Sequence, residues 1–455
     1  MKNVLVIGAG QSSPYLIEWL LSKAETYDWF VTVADRDLEL AQSRVGHHAR
    51  GAAIAMDVND TSLRSTQIEK SSVVINMMPP ALQPVIAWDC VQHRRHMISV
   101  SHKDKRLRDL ENDAHRAGVL LLTDVGLDPG LDLMSAMSML HGIRSNDGIV
   151  EGYESYGSGV PGPDSNANPL RYCITWNPRN VVMAAEFGAQ YRRHGKTKIV
   201  PWQGVFQYSW PINVPGIGAM EAYPNRDSLV YEKAFELEDA QTLIRGTLRY
   251  PGWCETWLQI VRLGLPTEHI RIPHLRERSY AEIVEMFLPD GIQGIDLEQR
   301  VASFLQINPT GQIMKNLRWL GLFSDEPSGA PGETVAEAMV HLLKTKLVLP
   351  ADEPDLVILH HIFDVHYPSA DRRERIIGTF THYGQPGGTT AMSKTVGLPA
   401  ALAAKLLLIG ELPLTGCAIP SHELVYRPIL KELEQEGLAF TEETHVVQEG
   451  LTSAS

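Results

Sequence analysis

The sequence predicts an α/β protein: an N-terminal doubly wound parallel sheet, then a second, mixed α+β domain with an inserted helical domain. Three observations predict it. Short β-rich runs alternate with helical runs up to Gly130, a Gly-x-Gly turn joins the first strand to the first helix, and after Gly130 the texture changes to longer β-type runs and then to a block of amphipathic helices.

Residues 2–7 (KNVLVI) form a continuous apolar run of strand length, and Gly8-Ala9-Gly10 follows as a turn. Ser13 is a favoured helix N-cap and Pro14 a favoured first helical residue, so a helix starts there and carries its apolar face along Tyr15 to Leu21. Phe30 to Ala34 (FVTVA) completes a βαβ unit. Further strands are predicted at Ala52–Met56, Val73–Met77, Met97–Val100 and Val119–Thr123, with helices between several of them. Residues 131–142 make one more helix. Ile149–Ser155 and Arg171–Trp176 then read as strands, in loops rich in Gly, Pro and Asn. From Glu255 to Lys346 the runs WLQIVRLGL, YAEIVEMFL, LEQRVASFLQI and ETVAEAMVHLLKTKL have helical spacing. Leu356–Val365 returns to strand, and GLPAALAAKLLLIGEL is a strong helix expected to pack on the first domain. The domains expected are therefore 1–130 with C-terminal helices from about 391–455, a mixed-sheet domain from 131–254 and 351–390, and a helical insertion from 255–350.

With 455 residues, 44% hydrophobic and 21% charged, the composition is that of a globular protein with large cores. A net charge of -13 argues against nucleic acid or an anionic membrane as partner, and requires that an anionic substrate be met by local arginines. Cys90, Cys173, Cys254 and Cys417 show neither CxxC nor Cys/His metal spacing, so no metal is expected and a cytoplasmic, reducing setting is. The first residues lack the pattern of a signal peptide. The apolar stretch Ala400–Ile409 contains Lys405 and is too short to span a bilayer.

The strand, Gly-x-Gly turn and helix together are the phosphate-binding unit of a Rossmann domain. Gly8 and Gly10 let backbone approach phosphate, and the helix N-terminus with Gln11, Ser12 and Ser13 offers N–H groups. The third Gly or Ala of the usual fingerprint is Ser13 here. Asp35 ends the second strand where an acid binds the adenosine ribose, which favours NAD. Arg36 beside it can pair with a 2′-phosphate, which keeps NADP open. Asp128, in VGLDPGLD, follows a strand and opens a helix. It serves either as an active-site group, for cofactor and for proton transfer, or as an N-cap, whereas Asp132 reads as first-turn charge. His102, after another strand, is a candidate titrating group or a surface residue.

VGLDPGLD resembles the GLDPG(I/L)D signature of the saccharopine dehydrogenase family. Further matches follow in order: VPGPDSNANPLRYCITWNPRNVV, EAYPNRDS, GTLRYPGWCETW and GTTAMSKTVGLPAALAAKLLL, so the resemblance runs through almost the whole chain. Its glutamate-forming members are the most similar, and they imply a Rossmann domain, a catalytic and dimerisation domain, an inserted helical domain and a homodimer. The implied reaction converts saccharopine, NAD(P)+ and water to glutamate, aminoadipate semialdehyde and reduced cofactor. The resemblance places Arg226 and Arg249 at substrate carboxylates, with Arg171 a third candidate, and Asp128 in the active site. Relatives carry a Ser-Tyr pair beside the substrate where this chain has Ser101-His102, which makes Ser101 and His102 substrate-binding candidates, and a cysteine where it has Gly157; both differences bear on which amine is the substrate. Asn168 and Trp176 fall in loops that match. Two other readings compete: a carboxyspermidine or homospermidine type reductase, which would need a pocket for a cation, and a non-catalytic NAD-binding sensor.

Overall fold

The alternating runs of the N-terminal part form the parallel sheet they predict. The computed structural model of the protein describes residues 1–447. Strands β1 (Lys2–Ile7), β2 (Trp29–Asp35), β3 (Gly51–Ala55), β4 (Val73–Asn76), β5 (His96–Ser99) and β6 (Leu120–Leu122) lie in the order 3-2-1-4-5-6. Every pairing is parallel. This is the Rossmann order, with its switch point between β1 and β4. A seventh strand, Gly416–Ala418, adds in parallel beside β6. Helices α1 (Pro14–Lys23), α2 (Leu38–Val45), α3 (Thr61–Lys70), α4 (Gln83–Gln92), α5 (Glu111–Ala117) and α6 (Leu131–Ser145) accompany it. One core cluster unites Leu5, Ile7, Val74 and Met97 of the strands with Ile68, Ile86 and Ala114 of the helices.

The chain divides into two units, Met1–Ile149 with Phe380–Thr441, and Val150–Thr379 with the residues from Glu442 onward. The first unit takes in α6, which the sequence reading had assigned to the second domain. The apolar helix Ala391–Ile409 packs on α1: Tyr15 N–H donates to Ser393 Oγ at 3.0 Å, and a Cβ at Gly397 would lie 2.9 Å from the Leu16 nitrogen. A glycine is needed there for the helices to approach. The last strand, Thr441–Val446, joins the second unit's sheet, so the C-terminal residues do not all pack as helices on the first domain, and residues 448–455 lie outside the described residues.

The second sheet is mixed. Its main path runs Trp210–Val214, Gly218–Pro224, Thr242–Arg249, Ile149–Pro161, Asp355–Tyr367, Arg372–Tyr383 and Thr441–Val446. Thr242–Arg249 pairs in parallel with Ile149–Pro161 but antiparallel with Gly218–Pro224. The helices Trp253–Arg262, Tyr280–Glu285, Leu297–Leu305, Gln312–Leu320 and Val335–Lys346 share one continuous apolar cluster with this sheet, from Tyr156 to Ile358. Arg171–Trp176 is not a strand. Arg171 has φ +46°, and Ile174 N–H bonds to Leu347 O at 2.8 Å outside any ladder, so the run is a largely buried, irregular segment.

Candidate functional site

The turn after β1 is shaped around Gly8. It has φ +107°, and a Cβ there would come within 3.2 Å of both Met77 Cβ and Met78 Sδ. Its N–H donates to Ala34 O at 2.8 Å. Ala9 N–H donates to Asp35 Oδ2 at 2.8 Å, and Asp37 N–H to Asp35 Oδ1 at 3.0 Å. Asp35 therefore braces the glycine turn with one oxygen and its own loop with the other. Arg36, beside it, is exposed. Around Gly10 the Cβ position is open, and among the described residues the N–H groups of Gly10, Gln11 and Ser12 have no acceptor. Three outward N–H groups at a helix N-terminus fit a pyrophosphate, so these residues would hold the phosphates of a dinucleotide. Ser13 stands at the N-cap as expected, but its hydroxyl turns to Gly10 O at 2.9 Å and makes no cap bond. It closes the turn instead of capping the helix.

A buried polar network continues this edge of the sheet. Asn76 Nδ2 and Gln83 Nε2 donate to Ser99 Oγ at 3.0 and 2.8 Å, and Gln83 Oε1 accepts Asp104 N–H at 2.9 Å. Ser101 Oγ donates to Met78 O at 2.8 Å, which ties the loop after β5 to the residue packed against Gly8. His102 Nδ1 lies 3.5 Å from Asp124 Oδ1. Gly8, Ser101, His102 and Asp124 thus share the carboxyl ends of β1, β5 and β6, where open α/β sheets bind ligands.

The Val125-Gly126-Leu127-Asp128-Pro129-Gly130 segment folds tightly on itself. Gly126 N–H donates to Pro129 O at 3.0 Å and Leu131 N–H to Gly126 O at 2.9 Å. Gly130 has φ +147°, and a Cβ on it would stand 2.2 Å from Gly126 O. The N-cap of α6 is Gly130, so Asp128 is not the cap, and it remains half-buried in the loop. Asp132, read from sequence as first-turn charge, is buried, and its Oδ1 accepts Gly130 N–H at 2.6 Å. It is a brace of the loop.

In the second unit Arg249 ends the strand Thr242–Arg249 and is only 4% exposed. Its Nη1 donates to Leu248 O at 2.8 Å and lies 3.5 Å from Ser158 Oγ, while Nε has no partner among the described residues. The guanidinium sits 4.7 Å from the Tyr172 ring centroid and 5.7 Å from those of Tyr223 and Trp253. Burial pushes the Tyr172 and Tyr223 hydroxyls above their ordinary titration range, with Arg249 opposing the shift, so both are neutral O–H groups. Among the described residues no carboxylate forms an ion pair with Arg249. Arg226 is exposed, has φ +55°, and lies 5.3 Å over the Phe187 ring. Arg249 pairs with Glu221 in a ladder that ends at Pro224↔Gly246, and Arg226, beyond that ladder, pairs in parallel with Ala189. Arg171 stacks 3.9 Å over Tyr250 and donates to Pro163 O at 2.6 Å, a loop-holding role. Asn168 does the same, bonding both the N–H and the C=O of Tyr172, and Trp176 Nε1 donates to the Tyr172 hydroxyl at 3.2 Å.

Sequence reasoning missed Asp124, the Asn76–Ser99–Gln83 network and the Tyr172, Tyr223 and Trp253 ring set. Asp124 had a signal: it ends the apolar run LLLT as Asp35 ends FVTVA.

Comparison with known proteins gives two family matches, the saccharopine dehydrogenase NADP binding domain over residues 4–122 and the saccharopine dehydrogenase C-terminal domain over residues 126–438. The saccharopine dehydrogenase [NADP(+), L-glutamate-forming] of Saccharomyces cerevisiae is 30% identical over 97% of this chain and 99% of its own length. The mitochondrial alpha-aminoadipic semialdehyde synthase of Mus musculus is 32% identical over 98% of this chain but 48% of its own length, so the chain spans about half of that relative. A solved structure, the apo histidine-tagged L-Glu-forming saccharopine dehydrogenase from Saccharomyces cerevisiae, superposes with a TM-score of 0.85 at 28% identity, covering 98% of this chain and 100% of that one. The chain belongs to the saccharopine dehydrogenase family.

Proposed function

We propose that this protein is an oxidoreductase acting on a secondary amine, a glutamate-forming saccharopine dehydrogenase that uses NADP. The observation that carries the reading is Arg249: a guanidinium buried in one unit without a carboxylate partner, in a chain whose other unit carries a dinucleotide turn with three N–H groups lacking acceptors. A charge so placed is costly unless a ligand anion completes it. Saccharopine has three carboxylates, and Arg249 and Arg226 supply two separated guanidiniums for them. When bound, the nicotinamide accepts hydride from the carbon of the secondary amine. The residues of this chain bind and orient: Gly10, Gln11 and Ser12 the phosphates, Arg226 and Arg249 the substrate carboxylates, with Asp128 on the sheet edge.

The choice of NADP over NAD is supported by Asp35, whose two oxygens are engaged by Ala9 and Asp37, and by the exposed Arg36 next to it. That weakens the ribose argument which favoured NAD. A homodimer is supported by the large exposed apolar side chains of the second unit, among them Phe187, Ile199, Trp202, Tyr208 and Val230; light scattering measures it. A cytoplasmic setting is supported by the four free cysteines.

The test is direct. Purified protein is given saccharopine with NADP+ and, in parallel, with NAD+, and the absorbance of reduced nicotinamide is followed. Turnover with NADP+ is expected, and absence of turnover with both overturns the reading.

A further inference from the structure

We propose that His102 and Asp124 form a proton-transfer dyad on the carboxyl edge of the parallel sheet, with His102 exchanging protons with water and amine and Asp124 acting as its positioning residue. The inference rests on the saccharopine-oxidising reading above.

The geometry is that of a buried acid holding an accessible base. His102 Nδ1 stands 3.5 Å from Asp124 Oδ1; the Asp124 side chain is 3% exposed and that of His102 is 34% exposed. Asp124 is fixed from both sides of His102. Its backbone N–H donates to Ser101 O at 3.1 Å, and its Oδ2 accepts Lys103 N–H at 2.9 Å. It also adopts φ +59°, a left-handed conformation that Asp tolerates better than most residues. The next residue, Val125, donates its N–H to Ser99 O at 3.0 Å, so the ends of β5 and β6 are laced together directly beneath the pair.

Two neighbouring charges are directed elsewhere. Lys103 Nζ donates to Cys417 O at 3.0 Å, and the Asp104 carboxylate is held by Arg106 at 2.9 Å. Asp128, four residues beyond Asp124, is a further acid on this edge. A carboxylate facing Nδ1 favours a proton on that nitrogen and orients the ring, and the exchange is assigned to Nε2. Ser101, the neighbour of His102, reaches Met78 O at 2.8 Å, and Met78 packs against the Gly8 turn. The dyad therefore sits beside the dinucleotide turn and not on a remote surface.

The step it serves is the hydrolysis that follows hydride loss. Saccharopine, having lost hydride to NADP+, is an iminium. Water adds to its carbon: the C–O bond forms, the C=N π pair moves to nitrogen, and the proton released by water passes to His102 Nε2. His102 returns that proton to the nitrogen. The C–N bond then breaks with its pair going to the amine of glutamate, the hydroxyl O–H pair closes the aldehyde C=O, and the hydroxyl proton leaves through His102 to solvent.

The experiment uses the full chain with saccharopine and NADP+. His102→Ala is expected to lower kcat by about 100-fold, the usual scale of general acid–base catalysis, with both KM values and NADPH binding little changed, and added imidazole should restore a substantial part of the loss. Asp124→Asn should lower kcat and displace a limb of the kcat–pH profile of the native enzyme, because the amide no longer fixes the ring nitrogen that holds the proton. If His102→Ala keeps full kcat, or loses activity that imidazole does not restore, the dyad is overturned while the functional reading stands. His102 is accessible and its removal leaves Asp124 in place to hold the loop, so this arm survives a poorly folded Asp124 variant. A native enzyme inert toward saccharopine overturns the functional reading and, with it, the reaction assigned to the dyad.

Discussion

Arg249 shows how one residue can weaken a fold and serve a site. Its guanidinium is 4% exposed, is surrounded by aromatic rings, and leaves Nε without a partner, so in the absence of a ligand it pays desolvation that cation–π contacts only partly offset. Replacing such a charge by an apolar side chain of similar length is often neutral or stabilising, by up to about 1–4 kcal/mol. Arg249→Met should therefore unfold at the same temperature as the native protein or higher, while kcat/KM for saccharopine falls by about 100-fold or more, since charge-assisted hydrogen bonds contribute about 1.5–3 kcal/mol each. Calorimetry beside steady-state kinetics reads both, and a variant that is less stable yet fully active would show Arg249 to be structural. Arg36 lies at the opposite extreme: it is exposed, and its backbone and side chain brace nothing comparable to what Asp35 braces. Arg36→Ala should raise KM for NADP+ by about 10-fold or more, with NAD+ little affected, because the loss is confined to the 2′-phosphate. Equal loss with both cofactors would remove Arg36 from phosphate recognition.

At the scale of elements, the loop between β6 and α6 shows what glycine does there and what it does not do inside the helix that follows. Gly130 combines φ +147° with a Cβ position 2.2 Å from Gly126 O, whereas Gly142, inside α6, has nothing within 4 Å of its Cβ. Gly130→Ala should destabilise by about 4 kcal/mol or more, because both the backbone conformation and the close approach forbid it. Gly142→Ala should stabilise by about 0.5–1 kcal/mol through helix propensity and the entropy of the unfolded chain. Denaturant titration of the two variants gives the signs, and equal effects would contradict the loop geometry. The same loop explains what was legible in the sequence. VGLDPGLD was readable as a strand-to-helix connection because its glycines and proline punctuate two periodic runs. That Asp132 and not Asp128 would bond the Gly130 N–H was not readable, because which carboxylate reaches an N–H depends on side-chain direction in a loop whose backbone periodicity does not fix. Elements with strong periodicity, β1 to β6 and the helix Ala391–Ile409, were found, with ends shifted by a few residues. Those missed lacked it. Gly416–Ala418 is three residues held by pairing with β6, and Thr441–Val446 is mostly polar and exposed throughout; Arg171–Trp176 is the converse, a run of strand-like composition predicted as a strand that has no ladder partner. Half of the candidate site was legible on the same terms: the Gly8 turn and Asp35 follow from local pattern, whereas Asp124 and the rings around Arg249 come together only through tertiary pairing.

For the molecule as a whole, the consequence lies in how the chain is shared between units. The first unit is assembled from Met1–Ile149 and Phe380–Thr441, so the parallel sheet is not a contiguous N-terminal domain. What the later segment supplies is substantial: a seventh strand covering the edge of β6, and the helix Ala391–Ile409 packed on α1, whose Leu16, Ile17, Trp19, Leu20 and Leu21 are all buried. Each fully buried side chain of this kind contributes about 1.5–3 kcal/mol. Exposing several of them is comparable to the 5–15 kcal/mol or so by which a domain is stable, and an uncovered β6 edge invites aggregation. A fragment of residues 1–149 is thus expected to fold poorly and to bind no NADPH, although it contains the Gly8 turn, Asp35, Arg36 and the His102–Asp124 pair. Residues 1–149 joined to 380–441 through a flexible Gly/Ser linker should fold cooperatively and bind NADPH, read by energy transfer from Trp19 and Trp29 to the reduced nicotinamide. The comparison separates two ideas of where the nucleotide site comes from. If the short fragment binds NADPH as tightly as the joined one, the local pattern of strand, turn and helix suffices; if only the joined fragment binds, the turn depends on a helix that enters the sequence more than 200 residues after α6 ends.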